Sequence, residues 1–129
     1  IICADIEDQI MGLDNNERES FMREIGLKKT GLNQLIKEGY DLLNLNTFFT
    51  SGEKETKAWT IIKESLAPDA AGKIHSDFKR GFIAAEVIDS ATLLKLGGEK
   101  NAKLSGKIRT EGKEYIVMDG DVILFRFNV

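Results

Sequence analysis

The apolar residues of this chain change their spacing at Thr47, and that change limits the folds open to it. Before Thr47, apolar side chains recur every three or four residues, as they do on one face of a helix. After Thr47, short β-branched and aromatic segments alternate with turn residues. The sequence therefore predicts two parts: residues 1–45, a strand end followed by helices, and residues 46–129, a mixed α+β domain.

The first part is predicted to begin with a strand end. Ile1–Ala4 is short, apolar and β-prone, like the end of a buried strand. Asp14 and Glu17 have the spacing of a capping box at a helix start, and Gly26 is suited to the end of that helix. Thr30 predicts the start of a further helix. A helical set this short buries too little surface to fold well alone.

The second part is predicted to contain, in order, a hairpin, a helix, a strand, a short helical piece and a final hairpin. These elements are predicted at Thr47–Ile62, Pro68–Gly81, Phe82–Ile88, Leu93–Gly98 and Tyr115–Phe127, the last with Asp119-Gly120-Asp121 as its turn. This is the element order of the β-grasp, or ubiquitin-like, fold, in which one sheet wraps a central helix. We therefore expect an α+β domain of that kind.

Composition excludes several classes of protein. No apolar run approaches the roughly 20 residues of a membrane span, so we expect no membrane partner. Cys3 is the single cysteine and cannot form an internal disulfide, which favours a reducing, cytoplasmic setting. One Cys and one His are too few for a structural zinc site. Asp119-Gly120-Asp121 is interpreted as a turn, because a calcium loop needs more spaced oxygen ligands.

Six motifs in the second part are specific enough to indicate a family. They are, in chain order, Phe48–Gly52, Lys57–Ile61, Ala67–Phe78, Arg80–Val87, Gly112–Val117 and Asp119–Val129. All six resemble the C-terminal region of YchF-type (Obg-like) P-loop ATPases. The resemblance implies that residues 46–129 are a TGS domain. It also implies that residues 1–45 are a short helical remnant, the C-terminal end of the P-loop nucleotide-binding domain.

The nucleotide site of that family is represented here by two residues only. Cys3 and Ala4 resemble the family's last loop in contact with the nucleotide base, which implies backbone N–H contacts to a purine. A buried strand end is the alternative interpretation of the same residues. We give no weight to Gly97-Gly98-Glu99-Lys100 as a phosphate loop, because Glu99 stands where the motif needs Gly.

The chain contains no G-x-x-x-x-G-K-[ST] run, the loop that cradles phosphates and supplies a hydroxyl to Mg²⁺. We therefore expect no ATP hydrolysis from these 129 residues. The resemblance implies that an intact parent hydrolyses ATP, or GTP, with Mg²⁺.

His75 and its basic neighbours are the candidate RNA-binding residues. His75 is predicted to lie within the helix that follows Pro68, close in sequence to Lys73, Lys79 and Arg80. TGS domains of stringent-response synthetases contain a similar Ile-His-Thr-Asp segment, associated with contact to the 3′ end of transfer RNA. This likeness implies that His75 stacks on, or hydrogen-bonds, a nucleotide. The alternative is that His75 caps a helix or packs locally.

Two larger sets of residues have both a binding and a structural interpretation. The bases of the second part could form a phosphate-binding patch or an ordinary solvated surface with interspersed acids: Lys73, Lys79, Arg80, Lys103, Lys107, Arg109 and Lys113. The aromatic residues could stack on bases, but their spacing favours a hydrophobic core: Phe48, Phe49, Trp59, Phe78, Phe82, Phe125 and Phe127.

Taken together, these features predict a binding module. We expect it to bind the ribosome, through transfer or ribosomal RNA, under nucleotide control exerted by the absent P-loop domain. The alternative is an intramolecular regulatory domain that docks on the P-loop domain in cis and controls nucleotide access. A catalytic role for this chain lacks support, since no Ser or Cys nucleophile with a supporting acid is evident.

Overall fold

The computed structural model describes residues 2–52 and 55–128, which belong to two compact units. The first unit is Ile1–Leu43 and the second is Asn44–Val129. The division falls two residues before the one expected from the sequence. No helix in the described part of the chain is long and apolar enough to cross a membrane.

Within residues 2–43, the first unit forms three helices, α1 (Ala4–Met11), α2 (Asn15–Glu24) and α3 (Gly31–Leu42). The predicted strand end was wrong for the described residues: Ile2 and Cys3 are exposed and form no strand, and Ala4 already begins α1. Ile1 lies outside the described residues. An apolar, β-prone run makes a strand only where another strand pairs with it.

The helix starts predicted in this unit are confirmed. The Asp14 carboxylate accepts hydrogen bonds from the backbone N–H groups of Asn16 and Glu17, and Glu17 accepts in return from the Asp14 N–H. The Thr30 hydroxyl accepts from the Asn33 N–H. Both caps form between residues at most three positions apart, so local sequence is sufficient to specify them.

The described residues of the second unit form a five-stranded sheet with four helices. Its elements are β1 (Leu45–Ser51), β2 (Thr56–Ile62), α4 (Ala67–Ile74), α5 (Ser76–Arg80), β3 (Phe82–Asp89), α6 (Ser90–Lys95), α7 (Glu99–Leu104), β4 (Arg109–Glu111) and β5 (Asp121–Phe127). The strands lie in the order β2-β1-β5-β3-β4, with β1 and β5 parallel and the other pairs antiparallel. The predicted α+β, β-grasp class is confirmed.

The core of the second unit lies between the sheet and α4. Its fully buried side chains come from four strands, α4 and the segment after β4: Phe48, Ile61, Ala67, Ala70, Ala71, Ala85, Val87, Val117 and Ile123. The Phe48 and Phe125 rings meet edge to face with their centroids 5.9 Å apart, and Phe78 stacks on Phe127 at 3.8 Å. Most of the aromatic residues are therefore core residues, as their spacing predicts. Trp59 is half-buried, and its indole N–H donates to the Thr50 hydroxyl.

The predicted final hairpin was wrong. Residues 115–118 form no strand, apart from a single bridge between Ile116 and Leu66. Instead the Tyr115 carbonyl accepts from the Ala67 N–H, at the start of α4, and the Val117 N–H donates to the Ser65 carbonyl. β5 pairs with β1 and β3, strands far from it in sequence, while β4 was not predicted. Local β-propensity does not reveal which partner a strand will find.

The turn Asp119-Gly120-Asp121 connects several parts of this unit. The Asp121 carboxylate is buried (2% exposed) and its Oδ2 accepts from the Tyr115 hydroxyl at 2.7 Å and the Met118 N–H at 2.9 Å. Asp119 Oδ1 accepts from the Thr47 N–H at 2.8 Å, at the start of β1. Both carboxylates thus serve the turn, as expected from the sequence.

Burial, together with the hydrogen bond to Asp121, raises the pKa of Tyr115 from 10.0 to about 12. The unfolded chain loses this proton near pH 10, so the Tyr115 contribution to stability is complete below pH 10 and is lost between pH 10 and about 12. In a Tyr40→Phe background, Tyr115 is the remaining tyrosine. We expect its phenolate absorbance to appear near pH 12 in the folded protein and near pH 10 in urea. Equal midpoints in the two conditions would contradict the buried hydrogen bond.

Candidate nucleic-acid interface

His75 lies at a joint between two helices. The single helix predicted from Pro68 to Gly81 is divided into α4 and α5, and His75 has an extended backbone between them (φ −159°, ψ 143°). Its N–H donates to the Ala71 carbonyl, ending α4, and its Nδ1 accepts from the Asp77 N–H at 3.2 Å, starting α5. The prediction that His75 sits inside a helix was therefore wrong. An imidazole nitrogen can accept a nearby N–H as Asn or Asp does at helix starts, and this bond competes with helix continuation.

The cap determines which nitrogen of the imidazole carries its hydrogen. Because Nδ1 accepts a hydrogen bond, the neutral ring carries its hydrogen on Nε2. The side chain is 60% exposed in this capped position. Asp77 Oδ2 lies 3.6 Å from Nδ1 and would pair with the ring if it were protonated. The capping role is therefore present in the structure, and the nucleotide contact stays a prediction.

The Lys79 side chain crosses α4 beside Gly72 and pairs with Asp69. A Cβ added at Gly72 would lie 3.2 Å from the Lys79 Cβ and Cδ, so the absence of a side chain there lets the lysine stem cross the helix. The Lys79 Nζ then reaches Asp69 Oδ1 at 2.6 Å. This close approach orients the ammonium group on the surface of α4.

The other two predicted bases are also exposed on this helix pair. Arg80 Nη2 lies 2.8 Å from Asp77 Oδ1. Lys73, on the last turn of α4, has no ion pair among residues 2–52 and 55–128. We refer to Lys73, His75, Lys79 and Arg80 as the His75 surface. Its three bases lie beside the two acids Asp69 and Asp77. Exposed ion pairs of this kind contribute little to stability.

The remaining bases of the predicted patch belong to other elements. Lys103 lies on α7 and its Nζ is 2.7 Å from Glu99 Oε1. Arg109, on β4, donates to the Tyr115 hydroxyl at 3.1 Å, and its Nη1 is 3.5 Å from Glu111 Oε1. Arg109 therefore supports the Asp121 network, a role that the sequence pattern did not indicate.

Sequence reasoning also missed a groove beside the His75 surface. It lies between β2 and α4 and is lined by Ile61, Ile62, Ser65, Asp69, Gly72, Lys73 and Lys79. A glycine inside a predicted helix was the available signal, because such a residue often marks close approach of another chain segment. The groove joins strand-edge residues and two lysines that are distant in sequence.

Cys3 and Ala4 occupy the start of α1. Cys3 is exposed and is the N-cap residue, with an extended backbone and no side-chain cap, and Ala4 is the first helical residue. Their interpretation as a buried strand end was wrong. Contact of their backbone with a purine base stays a prediction. Within the described part of the chain, no group of three His, Cys, Asp or Glu side chains could hold a metal ion.

The double role of His75 can be tested by two substitutions. His75→Ala removes the acceptor for the Asp77 N–H and should lower the free energy of unfolding by about 1 kcal/mol. His75→Asn keeps a capping acceptor and should leave stability nearly unchanged. Urea unfolding followed by fluorescence of Trp59, the single tryptophan, measures both. Equal stability of the two variants would exclude a capping contribution.

Comparison with known proteins gives consistent matches. Residues 45–128 match the family YchF-GTPase_C, which carries the description "Protein of unknown function (DUF933)". Two curated relatives are each named "Ribosome-binding ATPase YchF": one from Bacillus subtilis, 54% identical over 129 residues, and one from Escherichia coli O157:H7, 54% identical over 128 residues. These alignments cover 100% and 99% of this chain but 35% of each relative. The chain thus spans about a third of their length.

A solved structure supports the same assignment. The Schizosaccharomyces pombe YchF GTPase superimposes with a TM-score of 0.77 at 33% sequence identity, over 97% of this chain and 33% of that one. The fold of the second unit and the family match therefore agree over the same residues. The chain belongs to the YchF family and contains its C-terminal TGS domain.

Proposed function

We propose that this TGS domain helps a larger P-loop ATPase bind the ribosome in the cytoplasm, and that it contacts transfer or ribosomal RNA through the His75 surface. Relatives named ribosome-binding ATPases support a ribosomal partner. Three bases and an exposed imidazole on one helix pair support RNA as the chemistry that is recognised.

The orientation of His75 is the observation on which the proposal depends most. Its Nδ1 is used in capping α5, so Nε2 carries the hydrogen of the neutral ring, and the side chain is 60% exposed. An unpaired base could stack on the ring while Nε2 donates to a base edge or a phosphate. Lys73, Lys79 and Arg80 would contact phosphates, which position RNA without reading its sequence.

The acids in this surface do not oppose RNA binding strongly. Asp69 and Asp77 hold Lys79 and Arg80 through exposed ion pairs. Such pairs contribute about 0–1 kcal/mol, so exchange of a carboxylate for a phosphate costs little. In the absence of RNA, the same acids keep the two cations oriented.

Nucleotide control belongs to the part of the parent outside this chain. The 129 residues contain no phosphate loop, so they do not fit the phosphates of ATP or GTP, nor the accompanying Mg²⁺, and no hydrolysis step is assigned to them. In the proposal, Cys3 and Ala4 contribute backbone N–H groups to the base pocket of the intact P-loop domain. The nucleotide bound in that pocket would then control how the TGS domain binds the ribosome.

Filter binding to ribosomes and to transfer RNA tests the surface. The triple variant His75→Asn, Lys79→Gln, Arg80→Gln keeps the cap and the lysine stem but removes two charges and the ring. We expect weaker binding and a salt dependence whose log–log slope falls by about 1.4, because two phosphate contacts to a single strand are lost.

The matched control is Lys28→Gln, Lys29→Gln, which removes two positive charges from the first unit. It should leave both the affinity and the salt slope unchanged. Undiminished binding by the triple variant, or an equal loss in the control, would count against the His75 surface.

The second candidate function is regulation in cis. Ile62 and Leu124 lie on the face of the sheet opposite to the buried Ile61 and Ile123, and they are 59% and 51% exposed. Exposed apolar side chains on a sheet face favour contact with another domain. If that domain is the P-loop domain, removal of the residues equivalent to 46–129 from the Bacillus subtilis relative should change its ATP turnover. An unchanged rate would exclude this function.

A further inference from the structure

The two edges of the five-stranded sheet differ in their protection. The edge strand β4 has three residues, two of them charged. The opposite edge strand, β2, has seven residues, pairs with β1 along its whole length and contains no proline and one charge, Lys57. No strand of the described part of the chain pairs with the outer side of β2. Natural proteins usually shorten, charge or interrupt such an edge, because it can accept another strand.

The groove between β2 and α4 adjoins the C-terminal end of this open edge. Ile61, Ile62 and Ser65 line its strand side, and Gly72 and Lys73 are among the residues of its helix side. Ile61 is buried and provides an apolar floor. Gly72 is covered by the stem of Lys79, so that lysine forms part of the helix side of the groove. The geometry is that of a strand edge next to a helix, where an extended peptide can add to the sheet.

The charges of the groove indicate which peptide would fit. Lys79 is paired with Asp69 at 2.6 Å, whereas Lys73 is exposed and lacks an ion pair within residues 2–52 and 55–128. The groove is lined by two cations, Lys73 and Lys79, and one acid, Asp69, which favours an occupant with negative charge. A nucleic acid could contact Lys73 through a phosphate, but it has no peptide backbone to form a ladder of hydrogen bonds with the N–H and C=O groups of β2.

We propose that the edge of β2 and the adjoining groove bind an extended, acidic polypeptide segment by strand addition, with an acidic side chain against Lys73. Successive side chains of a strand point to opposite faces of the sheet, so every second residue of the segment faces α4. Acidic residues at alternate positions would place one carboxylate at Lys73 and the next towards Lys79. Lys73 and Lys79 belong to both surfaces, and His75 and Arg80 do not line this groove. Strand addition depends on the edge of β2 and not on the proposed ribosome contact.

Fluorescence polarisation with the 129-residue chain and a labelled peptide, Thr-Glu-Val-Glu-Val-Glu-Val-Glu-Thr, tests the proposal. Two further versions carry N-methyl groups on one or the other alternate set of amides. Only one set can face β2 in an added strand, so we expect methylation of one set to abolish binding and methylation of the other to leave it intact. A scrambled peptide of the same composition should bind weakly.

The variant Lys73→Glu should weaken peptide binding about tenfold or more, the loss expected for one charge-assisted hydrogen bond. Lys113→Glu, at another exposed lysine of this domain, is the matched control and should bind the peptide normally. Circular dichroism confirms that both variants are folded.

Three outcomes would overturn the proposal: no binding of the parent peptide at millimolar concentration, equal binding of the two methylated peptides, or equal binding of the scrambled peptide. A failure of ribosome binding by the triple variant is measured separately and leaves this result unchanged.

Discussion

The buried carboxylate of Asp121 is the interaction on which much of the TGS domain depends. A charged group at 2% exposure is costly unless its oxygens are hydrogen-bonded, and here the Tyr115 hydroxyl and the Met118 N–H both donate to Oδ2. This places residues 115–118 against the sheet without making them a strand. The adjacent Asp119 binds the start of β1 through the Thr47 N–H. A three-residue turn thus links β1, β5 and the loop between β4 and β5.

The same loop holds the helix that carries the candidate site. The Tyr115 carbonyl accepts from the Ala67 N–H and the Val117 N–H donates to the Ser65 carbonyl, so the start of α4 is fixed from outside the helix. Downstream, His75 ends α4 and begins α5 with one side chain. The orientation of the imidazole is therefore a consequence of the fold. A binding residue that also caps a helix is held in place at low entropic cost.

α4 separates two surfaces with different chemistry. At its end, exposed bases and a ring that can stack suit the phosphates and bases of RNA. Along its side, β2 offers backbone hydrogen bonds to an extended peptide. Lys73 and Lys79 border both surfaces, so occupation of one would alter the electrostatic field at the other. A TGS domain built in this way could bind both the ribosome and a protein partner.

The sequence by itself determined the features that depend on near neighbours. The Asp14–Glu17 and Thr30 caps, the helix beginning near Pro68, strands β1, β2, β3 and β5, and the family motifs all follow from short-range spacing.

The tertiary structure alone decided that β5 lies beside β1, that residues 115–118 form a loop and that β4 closes the other edge. It also decided that His75 divides a helix, and that Gly72 lets Lys79 reach Asp69. These features arise from bonds and contacts whose energy depends on which partner is nearby in space, as with Thr47 and Asp119, which are 72 positions apart. Periodicity in a sequence reports which face of an element is apolar, but not which other element will cover it.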